Sequence, residues 1–123
     1  TAQYAAIEAL RNGDRDVCKM RDEYDMRRRL VVDGFNEMGL SCFEPLGAFY
    51  VFPCIKEFGM TSEEFATKLL ETEKVAVVPG TAFGNCGEGF VRISYAYSLD
   101  NLKLAIGRID DFITKLRNEK EQA

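Results

Sequence analysis

The chain has 123 residues, 46% hydrophobic and 29% charged, with a formal net charge of −4 and no histidine. That is one domain's worth of folded chain, able to bury a core without staples and unlike a disordered tail. The acidic balance argues against a nucleic-acid partner, and the missing imidazole removes every mechanism that needs a histidine base or ligand.

No apolar run reaches the length of a membrane span, so no membrane partner is expected. The chain opens at Thr1 without a signal-peptide pattern, which reads as a piece cut from a longer protein. Cys18, Cys42, Cys54 and Cys86 form no CxxC pair, and without histidine the usual zinc spacings fail. They read as reduced, structural thiols of a cytoplasmic protein, with Cys86 in a glycine-rich segment where exposure is the alternative.

The alanine-rich stretch 2–11 predicts a short helix, stopped by the Asn12-Gly13-Asp14 turn signal. Val17, Met20, Tyr24, Val31, Phe35 and Met38 then mark one face of a long helix over 15–38, ended by Gly39. Ala48-Phe49-Tyr50-Val51-Phe52 predicts a strand bounded by Pro45-Leu46-Gly47 and Pro53. Thr61 and Glu64 have capping-box spacing and open a helix whose apolar face is Phe65 and Leu69, with Leu70 beside them. Val75 to Val78 predicts a short strand ended by Pro79-Gly80, and Gly84, Gly87 and Gly89 break the following residues into loop. Phe90 to Tyr95 returns to strand, with Phe90, Arg92 and Ser94 on one face and Val91, Ile93 and Tyr95 on the other. From a Ser98 cap, Leu99, Leu102, Ile106, Ile109, Phe112, Ile113 and Leu116 define a last amphipathic helix. The fold class is α+β: a small antiparallel or mixed sheet covered by helices in two layers, with a long N-terminal helix.

Three features invite chemistry. Arg27, Arg28 and Arg29 point three ways around a helix, with Glu23 and Asp25 at ion-pair spacing; intrahelical pairing competes with a subunit or phosphate contact. Gly80-Thr81-Ala82-Phe83-Gly84 lacks the lysine and hydroxyl of a phosphate loop, so it reads as a turn of the chain. Arg92 is the lone charge in an apolar strand. It is either an arginine on a wet sheet face, stem packed and head in water, or an anion clamp whose planar fork matches a carboxylate.

Taken together, these segments resemble one family. Pro45-Leu46-Gly47-Ala48-Phe49-Tyr50, then Pro79-Gly80-Thr81-Ala82-Phe83-Gly84, then Gly87-Glu88-Gly89-Phe90-Val91-Arg92-Ile93-Ser94, are similar to class I/II aminotransferase segments in order and spacing. The Gln3-Tyr4-Ala5-Ala6 helix, the long helix and the closing helix with Arg108 fit the same pattern. The resemblance implies the C-terminal small domain of a dimeric, pyridoxal-phosphate-dependent amino-acid aminotransferase of the aspartate type. It makes residues 1–123 one domain, with 1–14 packing on a large cofactor domain absent from this chain. It implies that Arg92 grips the substrate α-carboxylate and that Gly47 and Phe49 line the site, for amino-acid and 2-oxo-acid substrates. None of the seven lysines (Lys19, Lys56, Lys68, Lys74, Lys103, Lys115, Lys120) has the setting of the family's Schiff-base lysine. No catalytic or cofactor-binding residue is therefore expected here, and the chain alone should hold no cofactor and be inactive. A C–S lyase of the same fold and an effector-binding half of a transcription regulator are the rival readings.

Overall fold

The computed structural model describes residues 1–122. Helix α1 spans Ala2–Asn12 and α2 spans Asp14–Glu37. The expected stop falls at Gly13, which belongs to neither helix. Gly13 N to Ala9 O (2.9 Å) closes α1 and Val17 N to Gly13 O (3.0 Å) opens α2. A Cβ at this position would stand 2.4 Å from the Ala9 carbonyl oxygen, so glycine answers a close backbone approach at the junction.

At 24 residues, α2 is about 36 Å long. Its C-terminal half is core, with Val31 and Phe35 buried; its N-terminal half is not, and Val17 and Met20 are exposed. Gly39 ends it at φ +86°, as expected, and Arg117 Nη1 donates to the freed Met38 carbonyl at 2.8 Å. The arginine triplet forms the intrahelical pairs: Arg27–Glu23 at 3.3 Å, Arg28–Asp25 at 2.6 Å and Arg29–Asp25 at 2.8 Å. Arg28 also pairs with Glu44, tying α2 to the segment that leads into the sheet.

Strands β1 (Tyr50–Val51), β2 (Val78–Pro79) and β3 (Val91–Ser94) form an antiparallel sheet in the order β1-β3-β2. Both flanking strands are shorter than the sequence suggests. Outside Tyr50–Val51 the backbone makes single bonds: Phe49 O accepts from Tyr95 N, and Cys54 N donates to Ser41 O. Pro79 lies inside β2 rather than after it, which an edge strand tolerates because its missing N–H faces away from the ladder. The register sets Tyr50 against Ser94 and Val78 against Arg92. Val51, Val91 and Tyr95 therefore turn inward, buried to 2% exposure or less.

Helix α3 (Ser62–Glu73) carries the capping box in full: Glu64 N donates to Thr61 Oγ1, and Thr61 N donates to Glu64 Oε2. Phe65 and Leu69 are buried, but Leu70 is on the outer face. Helix α4 (Leu99–Glu121) starts at the Ser98 cap and buries Leu102, Ile109, Phe112, Ile113 and Leu116. The core is one cluster joining α2, α3, α4 and the inner sheet face, with Phe65 and Phe112 edge-to-face at 5.2 Å. By contrast, α1 buries nothing, and Tyr4 and Leu10 are more than 80% exposed. All four cysteines are free. Cys42 is the structural thiol, its burial pushing it up to about 11, whereas Cys18 and Cys86 are exposed, so the structural reading fails for Cys18. Among the described residues no helix is long and apolar enough to cross a membrane.

Candidate anion-binding site

Arg92 stands on the central strand, on the face turned away from the core. Tyr50 lies diagonally across the β1–β3 ladder, a spacing that long side chains can bridge. The Arg92 guanidinium carbon is 4.3 Å from the centre of the Tyr50 ring and 4.7 Å from that of Phe83. Two aromatic rings thus bracket one cation, holding the fork by contact with their negative faces. Phe83 is backed by Phe52, edge-to-face at 5.7 Å.

The fork is held but not neutralised. Arg92 Nε is buried and donates to nothing, and among the described residues no carboxylate pairs with Arg92. Arg27 Nε is likewise unpartnered, yet the Arg27 head still reaches Glu23. A buried donor without a partner costs stability, and such groups in native proteins call for an explanation. A guanidinium with both rings in place and no counter-anion is competent to take a carboxylate through two parallel N–H···O bonds. The packed stem fits the first reading of Arg92, and the buried, unpartnered Nε between two rings is what the second requires.

Phe83 is brought over Arg92 by a tightly pinched loop. Short 3₁₀ turns at Gly80–Phe83 and Asn85–Gly87 fill the stretch expected to be irregular. The neck is made by Gly80 and Gly87, whose backbones touch: a Cβ on Gly80 would lie 2.0 Å from the Gly87 oxygen, and one on Gly87 2.1 Å from the Gly80 oxygen. Glycines here permit a backbone contact that no side chain would allow.

The other two expected site residues are placed differently. Phe49 is stacked on Tyr24 of α2 at 5.9 Å and lies against Tyr50 at 4.6 Å, so it shares one neighbour with Arg92. Gly47 lines a separate open cleft of about 370 Å³ bounded by Arg21, Tyr24, Asp25, Arg28 and Tyr95, in which Arg92 has no part. The structure therefore joins Phe49 to Arg92 through Tyr50 and does not bring Gly47 to them. Tyr50, Phe83 and Glu88 went unnamed as site residues in the sequence, although all three sit inside the quoted segments.

A family model for aminotransferases of class I and II matches residues 1–109. The chain belongs to that family. It is 54% identical over 110 residues to an aspartate aminotransferase of Pyrococcus abyssi, covering 88% of this chain and 28% of that protein. The aromatic aminotransferase of Pyrococcus horikoshii superposes with a TM-score of 0.90 at 47% identity, covering 94% of this chain and 31% of the other. The aspartate aminotransferase of Thermus thermophilus with maleate superposes at 0.80 and 41% identity, covering 89% and 29%. The chain thus spans about 30% of the length of these relatives.

The family implies pyridoxal phosphate, and the residues present do not fit it by themselves. Lys19, Lys56, Lys74 and Lys103 are exposed. Lys68 and Lys115 pair with Glu119 and Glu73, and Lys120 donates to the Glu57 carbonyl. No lysine stands unpaired in an apolar pocket, the setting that lowers an amine's pKa toward nucleophilicity.

Proposed function

We propose that this chain is the carboxylate-gripping small domain of a pyridoxal-phosphate-dependent amino-acid aminotransferase. The observation that carries the reading is the uncompensated Arg92 guanidinium between Tyr50 and Phe83. Arg92 binds the α-carboxylate shared by amino-acid donors and 2-oxo-acid acceptors, and the two rings fix the plane of its fork. Holding the carboxylate orients the α-carbon toward the reacting centre, and orientation alone is worth several kcal/mol of a barrier. Phe49, against Tyr50, and Gly47, at the neighbouring cleft, are the weaker members of the lining.

Pyridoxal phosphate supplies storage of carbanion electrons in this family, and it is held in the whole protein by residues outside this chain. The chain alone is therefore inactive. Helix α1 and the start of α2 present Tyr4, Ile7, Leu10, Val17 and Met20 to solvent, a patch suited to packing on the remaining two thirds of a longer, dimeric, cytoplasmic enzyme. The Thermus relative was solved with maleate, a dicarboxylate, in keeping with a carboxylate-binding role.

The test is to express the whole protein with pyridoxal phosphate. It is offered L-aspartate or L-phenylalanine with 2-oxoglutarate, and amino-group transfer is followed. Transfer supports the reading. Release of sulfide and pyruvate from cysteine without transfer points to a C–S lyase, and neither activity with tight binding of an amino acid points to a regulator.

A further inference from the structure

Glu88, between two glycines, is exposed overall, yet one of its carboxylate oxygens is fully engaged. Its Oε1 accepts from Ser62 N at 2.8 Å, Ser62 Oγ at 3.0 Å and Gly89 N at 2.9 Å. Ser62 is fully buried at the first turn of α3, and its Oγ also accepts from Gly89 N at 2.9 Å. Gly89 in turn offers its carbonyl to Ile55 N at 2.8 Å. One carboxylate oxygen thus locks the start of α3, the exit of the pinched loop and the segment after β1 into a single knot, four residues from Arg92. One wall of the slot and the guanidinium itself depend on it: Phe83 rides on the loop that Glu88 closes, and Arg92 lies on the strand that begins two residues after Gly89.

We infer that Glu88 is a positioning residue for the carboxylate clamp, setting through Ser62 and Gly89 where the Arg92 fork and the Phe83 ring meet. The inference rests on the clamp reading above. An oxygen accepting backbone and hydroxyl donors is favoured in its ionised form, so Glu88 stays below the ordinary glutamate range, with the Ser62 amide the largest cause. Removing the oxygen leaves the buried Ser62 amide and hydroxyl without their acceptor and lets the loop exit relax. Glutamine at 88 keeps a carbonyl oxygen for the same donors.

The test uses the whole enzyme loaded with pyridoxal phosphate and whichever of L-aspartate and L-phenylalanine the wild type turns over faster. Its partner substrate is the corresponding amine without any carboxylate, ethylamine for aspartate or 2-phenylethylamine for phenylalanine. Glu88→Ala is expected to raise KM for the amino acid about tenfold with kcat within about threefold, and Glu88→Gln to restore KM to within about threefold. The loss with the carboxylate-free amine is expected to be at least fivefold smaller. Equal losses on both amines, no loss on either, or no rescue by glutamine overturns the inference. If Glu88→Ala does not fold, Ser62→Ala is read instead: a KM rise of about threefold confined to the amino acid supports the knot, and an unchanged KM overturns it. Arg92→Lys in the same assay separates the two ideas. If it fails to discriminate the two amines, the clamp itself is wrong; if it discriminates while Glu88→Ala does not, only the positioning role falls.

Discussion

Arg92 and Tyr50 meet across the β1–β3 ladder with the guanidinium carbon 4.3 Å from the ring centre. The contact follows from register: Tyr50 is opposite Ser94, so Arg92, two residues back on the same face, is its diagonal neighbour. An arginine held this way keeps its charge while losing its freedom to turn, which lowers the entropy cost of binding an anion.

Replacing that ring tests the bracket. Tyr50→Leu keeps bulk but removes the π face, and a cation–π contact at a partly desolvated site is worth about 0.5–2 kcal/mol. Amino-acid KM in the whole enzyme should rise about 2- to 30-fold, while Tyr50→Phe stays close to wild type. Equal behaviour of the two variants would show that the ring does not hold the fork.

The core has a sharper expectation. Phe112 is 2% exposed and packs its ring against Phe65. Phe112→Ala should cost about 3–5 kcal/mol in urea unfolding of the 123-residue chain, through lost burial and the cavity left behind. Leu70→Ala, on the outer face of α3, should cost far less.

The pH profile of stability should fall at both ends, with no imidazole titration between them because histidine is absent. Asp25, held below its ordinary range first by the Arg28 hydrogen bond, and Glu64 and Glu88, held down first by backbone amides of Thr61 and Ser62, bind protons more weakly folded than unfolded. Their contribution is complete above the unfolded carboxylate range and is lost as pH falls through the lower folded values. On the alkaline side Cys42 reverses the sign. Its folded value of about 11 lies above the ordinary 9.0, so the folded state holds the proton more tightly and stability declines as pH rises from 9 toward 11. Tyr95, raised by burial, and Lys115, raised by its hydrogen bond to Glu73, add to the same limb. Cys42→Ala should therefore make it shallower without abolishing it and leave the acid limb unchanged; denaturant midpoints across pH 3–11 check this.

The lysines yield a further prediction. Incubating the isolated chain with pyridoxal phosphate and borohydride should give only scattered surface labelling, because each lysine is exposed or engaged by a carboxylate or carbonyl. A stoichiometric adduct at one lysine, found by peptide mass spectrometry, would contradict the absence of a cofactor-holding residue here.

Much of this architecture was legible because it is local. The Thr61–Glu64 box, the Ser98 cap, the Gly39 stop and the α4 stripe each announce themselves within one or two helical turns, and each formed. The arginine triplet was readable for the same reason: its partners lie three and four residues away. Asn12-Gly13-Asp14, another local signal, does end α1 and begin α2. What failed depended on the chain folding back on itself. Strand lengths over 48–52 and 75–78 were overestimated because hydrophobicity shows burial, not how many rungs a partner supplies. At the site, Arg92 stood out as a lone charge, but its bracket needed the register that sets Tyr50 beside it and the Gly80–Gly87 contact that brings Phe83 over it. Glu88 carried no local signal, since its partner Ser62 is 26 residues away.

The most direct test of the carboxylate clamp is Arg92→Lys in the whole enzyme, assayed with an amino acid and with the same amine lacking its α-carboxylate. Lysine keeps the charge and loses the planar fork. The clamp predicts a loss of about 30- to 1000-fold in kcat/KM for the amino acid, corresponding to roughly 2–4 kcal/mol of transition-state binding. The carboxylate-free amine should lose far less, and the melting temperature should move little, because the stem still packs. Equal losses for the two amines, or a variant that unfolds, would make Arg92 a structural arginine and contradict the role proposed for this domain.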